Sequence, residues 1–168
     1  MSSPFEPVGQ NFDSAHFRQI LGHFPTGVTI ITAMHEGAPV GLAVGSFFSV
    51  SLEPPLVGFC AAKSSTSFPK VHTHGHFCAN VLASDQEAVS RVFASSGADK
   101  FKGLGWRSSV ATGSPILNDV LAWADCRITS VHDEGDHLIV IGHVQELELG
   151  REETPLVFFR GGYRRLAG

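Results

Sequence analysis

Charge is scarce in this 168-residue chain. Asp, Glu, Lys and Arg make up 17% of it, and the net charge is −4 at pH 7. Nucleic acid needs a basic face, so no nucleic-acid partner is expected. Long apolar runs are missing too. None approaches the ~20 residues of a membrane-spanning helix, so no membrane association is expected. The N-terminus, MSSPFEPVGQ, has no basic segment followed by an apolar one and so does not read as a secretory signal. Residues 1–12 are read as a mobile tail and 13–168 as a single domain. The cysteines are few and odd in number: Cys60, Cys78 and Cys126, each in an apolar stretch. That pattern fits buried free thiols in a reducing cytoplasm rather than a disulfide framework. None has the electropositive setting that a reactive thiol needs.

Several chemical signatures are absent as well. The nearest approach to G-x-G-x-x-G is Gly103-Leu104-Gly105-Trp106-Arg107-Ser108, which lacks the last glycine and follows no strand. There is no Walker loop. No Ser-His-Asp, Cys-His or acid–base pair can be argued from spacing, so no catalytic side chain is assigned. His72, His74 and His76 alternate around a turn at Gly75. Such neighbours rarely close a tetrahedral shell without distant ligands, so they are read as a solvated turn and no metal is expected. No repeat, linker or low-complexity segment interrupts the chain.

What remains is an apolar, strand-rich domain: 43% of residues are hydrophobic and 13 are Phe. Asp13 and Ser14 cap a helix whose apolar face is Phe17, Ile20, Leu21 and Phe24, ended by Pro25 and Gly27. Val28–Ala33 and Val40–Val44 form a hairpin around Glu36-Gly37-Ala38-Pro39. Leu56–Ala61 is a strand after Pro54-Pro55, and Ser67–His72 a short helix. Phe77 to Leu82 alternates as a strand buried on both faces. Asp85 is expected to cap a helix with Val89, Val92 and Phe93 inward. Residues 95–115 are loop-rich, and a loop that long in a compact domain is usually functional. Leu121–His132 and Leu138–Leu149 are long strands joined by Asp133–Asp136, and Leu156–Arg160 is the last strand. Strands outnumber helices and most neighbours are hairpins, so the fold class is mostly β, an antiparallel barrel with peripheral helices.

The segment 41–66, GLAVGSFFSVSLEPPLVGFCAAKSST, carries the strongest functional signal. Gly41, Gly45 and Ser46 lack bulk, leaving backbone N–H and C=O groups open to a flat ligand. Lys63, Ser64, Ser65 and Thr66 combine a cation, three hydroxyls and turn amides, which suit a phosphate. The same residues also fit two buried strands joined by turns, with Lys63 a solvated charge.

The chain resembles the flavin reductase family, the short-chain NAD(P)H:flavin oxidoreductases that serve two-component monooxygenases. The resemblance rests on FPTGVTIIT (24–32), SFFSVSLEPPLV (46–57), NVL (80–82), DKFKGLGW (99–106), GDH (135–137) with Gly142, and PLVFFRGGY (155–163). It implies an FMN-binding split β-barrel that forms a homodimer. It also implies reduction of FAD or FMN by NADH or NADPH for a partner monooxygenase. By position it implies that Ala43, Val44, Gly45, Ser46 and Phe47 line the flavin ring, with Ser51 and Leu52 behind. Lys63, Ser64, Ser65 and Thr66 would hold the phosphate end. Lys100 and Phe101 would close over the flavin or its adenylate, and His137, Arg160 and Tyr163 would face the nicotinamide nucleotide. The family often has a hydroxyl residue at position 43 and serine at 45, so contacts there fall to backbone. Two further readings share the barrel: a flavin-binding module that transfers no hydride, and an oxidase of the pyridoxamine-phosphate type.

Overall fold

The computed structural model describes residues 11–97 and 99–166. The tail expected over 1–12 thus lies mostly outside the described residues, as do 167–168. Helix α1 spans Ser14–Leu21, and Asp13 Oδ1 caps it by accepting from His16 N–H at 2.8 Å. Its apolar stripe is not buried: no residue of α1 is inaccessible, and Phe24 beyond it is 72% exposed. The helix leaves at Gly22, whose carbonyl accepts from Arg160 N–H.

Strands β1 (Thr26–Gly27), β2 (Thr29–His35) and β3 (Ala38–Val44) follow, the last two as a hairpin turning at Glu36–Gly37, both at positive φ. Next come β4 (Phe48–Ser51) and β5 (Leu56–Ala62), then helix α2 (Phe68–His74), which ends at Gly75 in the left-handed region. Strand β6 is His76–Val81 and helix α3 is Glu87–Ala94. Short strands β7 (Trp106–Ser108) and β8 (Pro115–Leu117) lie in the loop-rich stretch. The long hairpin β9 (Ala122–Glu134) and β10 (His137–Leu149) turns at Gly135–Asp136.

Three sequence expectations change here. Asp85 does not cap α3; it pairs with Arg151, and the cap position is Gln86. Val92 is exposed while Phe93 is buried. The last strand is also a hairpin, β11 (Val157–Phe159) and β12 (Gly162–Arg164), with Arg160 in the turn at φ 50°.

The fold is mostly β. One antiparallel seven-stranded sheet runs β3-β2-β6-β9-β10-β5-β4, with small sheets β1-β11-β12 and β7-β8 beside it. Its strands are buried on both faces in the middle. On one side Ile31, Leu42, Phe59, Phe77, Cys126 and Val140 meet Phe68 and Val71 of α2. On the other, Ile30, Cys78 and Trp123 meet Phe93 of α3, Phe101 and Leu156. Each large side chain fully buried contributes on the order of 2 kcal/mol. Gly142 is part of this fit: a Cβ there would sit 2.6 Å from two ring atoms of Phe77.

Asn80 pins the loop-rich stretch to the second core. Its Oδ1 accepts from Leu117 N–H at 2.8 Å, and its amide donates toward Ile30, Cys78 and Pro115 carbonyls and Thr32 Oγ1. Buried Asp125 does the same for residue 112, accepting from both the hydroxyl and N–H of Thr112. No helix among the described residues is long and apolar enough to cross a membrane.

Candidate flavin site

A cavity of about 540 Å³ opens between the end of β3, the loop after β5 and the end of α3. Strand β3 is the free edge of the sheet, and that fixes what the ligand meets. Gly41 C=O accepts from Lys100 Nζ at 3.1 Å, so it points away from β2. In an antiparallel edge, alternate residues present both backbone groups the same way. Ala43, which lines the cavity, therefore turns its N–H and C=O away from β2 as well, leaving a donor and an acceptor unpaired within the sheet.

Ser46 holds the next corner. Its Oγ accepts from Cys60 N–H at 2.9 Å and donates to Cys60 C=O at 3.2 Å, so the chain after β3 is clamped to β5. Gly45 leaves no room for anything larger: a Cβ there would lie 2.9 Å from Thr26 Oγ1. Opposite, Ser64, Ser65 and Thr66 line the wall, with Ser65 Oγ accepting from Phe68 N–H.

Two cationic or protonatable groups face this space. His137 lies at the mouth, its Nδ1 2.7 Å from Asp136 Oδ1, and that bond holds the Asp136 carboxyl below its ordinary range. With Nδ1 engaged, Nε2 is the ring nitrogen left for a ligand. Lys100 donates to Gly41 C=O, Phe93 C=O and Ser67 Oγ. Burial pushes its ammonium below the usual lysine value. No carboxylate is among the described residues lining the cavity, so it is ready for an anion.

Thus the cavity brings together Ala43, Val44, Gly45, Ser46, Ser64, Ser65, Thr66, Lys100 and His137. Phe47 packs instead against the first core. Ser51 ends β4, and Leu52 stands 86% exposed. Lys63 extends away to pair with Asp133, while its N–H donates to Asp136 C=O. Phe101 is buried edge-on to Phe93 and Trp106. Arg160 occupies the β11–β12 turn. Tyr163 bonds Ser90 Oγ at 2.8 Å, beneath the guanidinium of Arg91.

Sequence reasoning missed Thr26, Ser67, Phe93, Ser95 and Ser96 as cavity residues. Thr26 sits inside the FPTGVTIIT segment and Ser67 extends the hydroxyl run, so both had a local signal. Ser95 and Ser96 arrive only because α3 folds over the edge of β3.

A protein-family model described as "Flavin reductase like domain" matches residues 21–167. A flavin reductase of Pseudomonas putida is 52% identical over 159 residues, 94% of this chain and 93% of that protein. The reductase subunit HsaB of a flavin-dependent monooxygenase from Rhodococcus jostii is 50% identical, over 93% of this chain and 80% of HsaB. Among solved structures, nitrilotriacetate monooxygenase component B from Mycobacterium thermoresistibile superposes with a TM-score of 0.89 at 48% identity, covering 92% and 87% of the two chains. The NADH:FAD oxidoreductase SgcE6 of Streptomyces globisporus, in complex with NAD and FAD fragments, gives 0.87 at 33% identity, covering 92% and 93%.

Proposed function

This chain belongs to the flavin reductase family, and from that premise we propose that it oxidises NADH or NADPH and reduces free FAD or FMN for a partner monooxygenase. The observation that carries the reading is the cavity itself. A free strand edge at Ala43 faces a hydroxyl-rich loop at Ser64–Thr66, with His137 at the mouth and no acid between. That donor set fits a planar ring at one end and its phosphate at the other.

Bound flavin supplies the hydride chemistry, so the chain needs only to bind, orient and exclude water. Ala43 to Ser46 offer backbone contacts to the ring; Phe47 backs them from the core. Ser64, Ser65 and Thr66 hold the ribityl phosphate, with Lys63 a nearby positive charge. His137, kept in one tautomer by Asp136, fixes the nicotinamide nucleotide through Nε2. Arg160 and Tyr163, on the β11–β12 hairpin that pairs with β1 beside Thr26, border the same approach.

The shared core of β2, β3, β5, β6, β9 and β10, with the Ser46–Cys60 clamp, supports a sheet curled into a split barrel. The family match over 21–167 supports one domain. The uncovered faces of α1 and β4 support a homodimer, with Ser51 and Leu52 near the second copy. Free thiols at Cys60, Cys78 and Cys126 support a reducing compartment, the cytoplasm.

The test is steady-state NADH oxidation in air with FAD, FMN and riboflavin in parallel. Consumption that rises and saturates with added flavin is expected. A flavin carrier would bind flavin without consuming NADH, and a pyridoxamine-phosphate-type oxidase would act without nicotinamide. Sedimentation of a monomer at micromolar concentration would remove the dimer.

A further inference from the structure

The β11–β12 hairpin joins two walls of the flavin cavity, although none of its residues is among the described residues lining that cavity. Strand β11 pairs with β1 on one side and β12 on the other, and the register sets Thr26, Phe158 and Tyr163 in one row across the three strands. Residues directly opposite on antiparallel strands project from the same face. The Phe158 and Tyr163 rings accordingly meet edge to face, with centres 5.4 Å apart. Thr26, at one end of the row, lines the cavity against Gly45. Tyr163, at the other end, is fastened to α3.

Of the eight residues of α3, only Ser90 and Phe93 are buried. Phe93 packs into the second core, and its C=O accepts from Lys100. Ser90 Oγ shares a hydrogen bond of 2.8 Å with Tyr163 Oη. Arg91 places its guanidinium 4.9 Å from the centre of the Tyr163 ring, and Glu87, one turn back, accepts from it at 2.7 and 2.9 Å. Positions 87, 90 and 91 share one helix face by their spacing. A helix held by one apolar ring can rock about it; a directed bond one turn away removes that freedom. Beyond Phe93, residues Ala94, Ser95 and Ser96 complete the far wall of the cavity. Where α3 lies therefore sets where that wall stands.

We propose that Ser90 and Tyr163 are positioning residues for flavin binding: their bond closes a strap, running Thr26, Phe158, Tyr163, Ser90, that holds the end of α3 over the edge of β3. This rests on the flavin reductase reading above and adds residues outside the cavity to it. With its hydroxyl on Ser90 and one ring face under Arg91, Tyr163 acts through α3 and not by contact with the nicotinamide nucleotide. Removing the hydroxyl at either end frees α3 while every group that lines the cavity stays in the chain.

Tyr163→Phe and Ser90→Ala each delete one oxygen and keep the surrounding packing, and the double variant completes a cycle. FMN affinity is measured by fluorescence quenching without NADH, well below the Tm of each variant. NADH KM and kcat are measured at saturating FMN. Each single variant is expected to weaken FMN by roughly two- to tenfold, the range of one hydrogen bond. The double variant should weaken it no further, because both changes break the same bond. NADH KM and kcat at saturating FMN should stay at wild-type values, which separates positioning from general damage to the fold. Unchanged FMN affinity in both single variants would overturn the proposal, whatever happens to Tm. Losses that multiply in the double variant would overturn it too, as would a raised NADH KM beside intact FMN affinity, which would return Tyr163 to the nicotinamide nucleotide. Absence of flavin-dependent NADH oxidation in the wild type would remove the underlying reading, while FMN binding would still decide the strap.

Discussion

Replacing Gly45 by serine adds only a Cβ and a hydroxyl, yet it is expected to impair this chain. The added Cβ would lie 2.9 Å from Thr26 Oγ1, nearer than side-chain carbons approach an oxygen. The next atoms, Thr26 Cβ at 3.7 Å and Gly27 O at 3.9 Å, leave space only if the Thr26 hydroxyl moves. Turning a β-branched side chain off its rotamer costs about 0.5–1.5 kcal/mol, and overpacking costs roughly 1–3 kcal/mol. The sum, about 1.5–4.5 kcal/mol, should lower Tm by roughly 3–18 °C, at about 2–4 °C per kcal/mol for a chain of this length. It should also weaken flavin binding, because both residues line the cavity. Thr26→Ala removes the colliding oxygen, so Thr26→Ala/Gly45→Ser should recover most of both losses. The assay is a double-mutant cycle on Tm and on flavin dissociation constants. Additive losses, or a Gly45→Ser variant as stable as wild type, would refute the reasoning.

Asn80→Asp should be worse than Asn80→Leu, although Asp is nearly isosteric. It sets a buried carboxylate against three carbonyls and a hydroxyl oxygen, at a cost of about 3 kcal/mol or more, against about 2 kcal/mol for leaving Leu117 N–H unpaired. Chemical denaturation decides the order, and a milder Asp variant would contradict it. His74 should make stability fall as pH drops from about 7 towards 5. Burial, then His76, lowers its proton affinity in the fold, and its Nε2 is enclosed with no hydrogen-bond partner among the described residues. The unfolded chain takes up that proton near pH 6.5, so acid favours unfolding until the folded histidine also titrates. Nearby His35 and Asp125 act in opposite directions on it. His74→Leu should flatten this part of the Tm–pH curve, and an unchanged slope would exclude it. Lys63→Ala should raise the FMN KM only about two- to fivefold and leave riboflavin unaffected. Lys63 already sits in an exposed pair with Asp133, and such pairs contribute about 0–1 kcal/mol.

The two long hairpins were legible because alternation and polar turns are local signals. Glu36–Gly37 and Gly135–Asp136 turn where the sequence changes character. The stripe Phe17, Ile20, Leu21 was legible as one helical face, but periodicity does not say what covers it, and among the described residues no position of α1 is buried. Asp85 looked like a cap because only its neighbours in sequence could be weighed; its partner Arg151 arrives from the far end of β10. The cavity wall at 43–46 and the hydroxyl run at 64–66 were legible because each is contiguous. Lys100 was legible as a motif residue only. Its acceptors come from β3, the N-cap of α2 and α3, whose meeting is tertiary. The family motifs NVL and Gly142 prove structural here: Asn80 ties down β8, and Gly142 admits the Phe77 ring.

The central claim is turnover of free flavin at the cavity bordered by Ala43, Ser65 and His137. Its most direct test mixes a trace of protein with NADH and a large excess of free flavin under anaerobic conditions, following both absorbances. The account predicts that one flavin is bleached for each NADH oxidised, continuing through many equivalents per protein. Bleaching that stops at one equivalent per protein, or NADH that persists beside bound flavin, would contradict it.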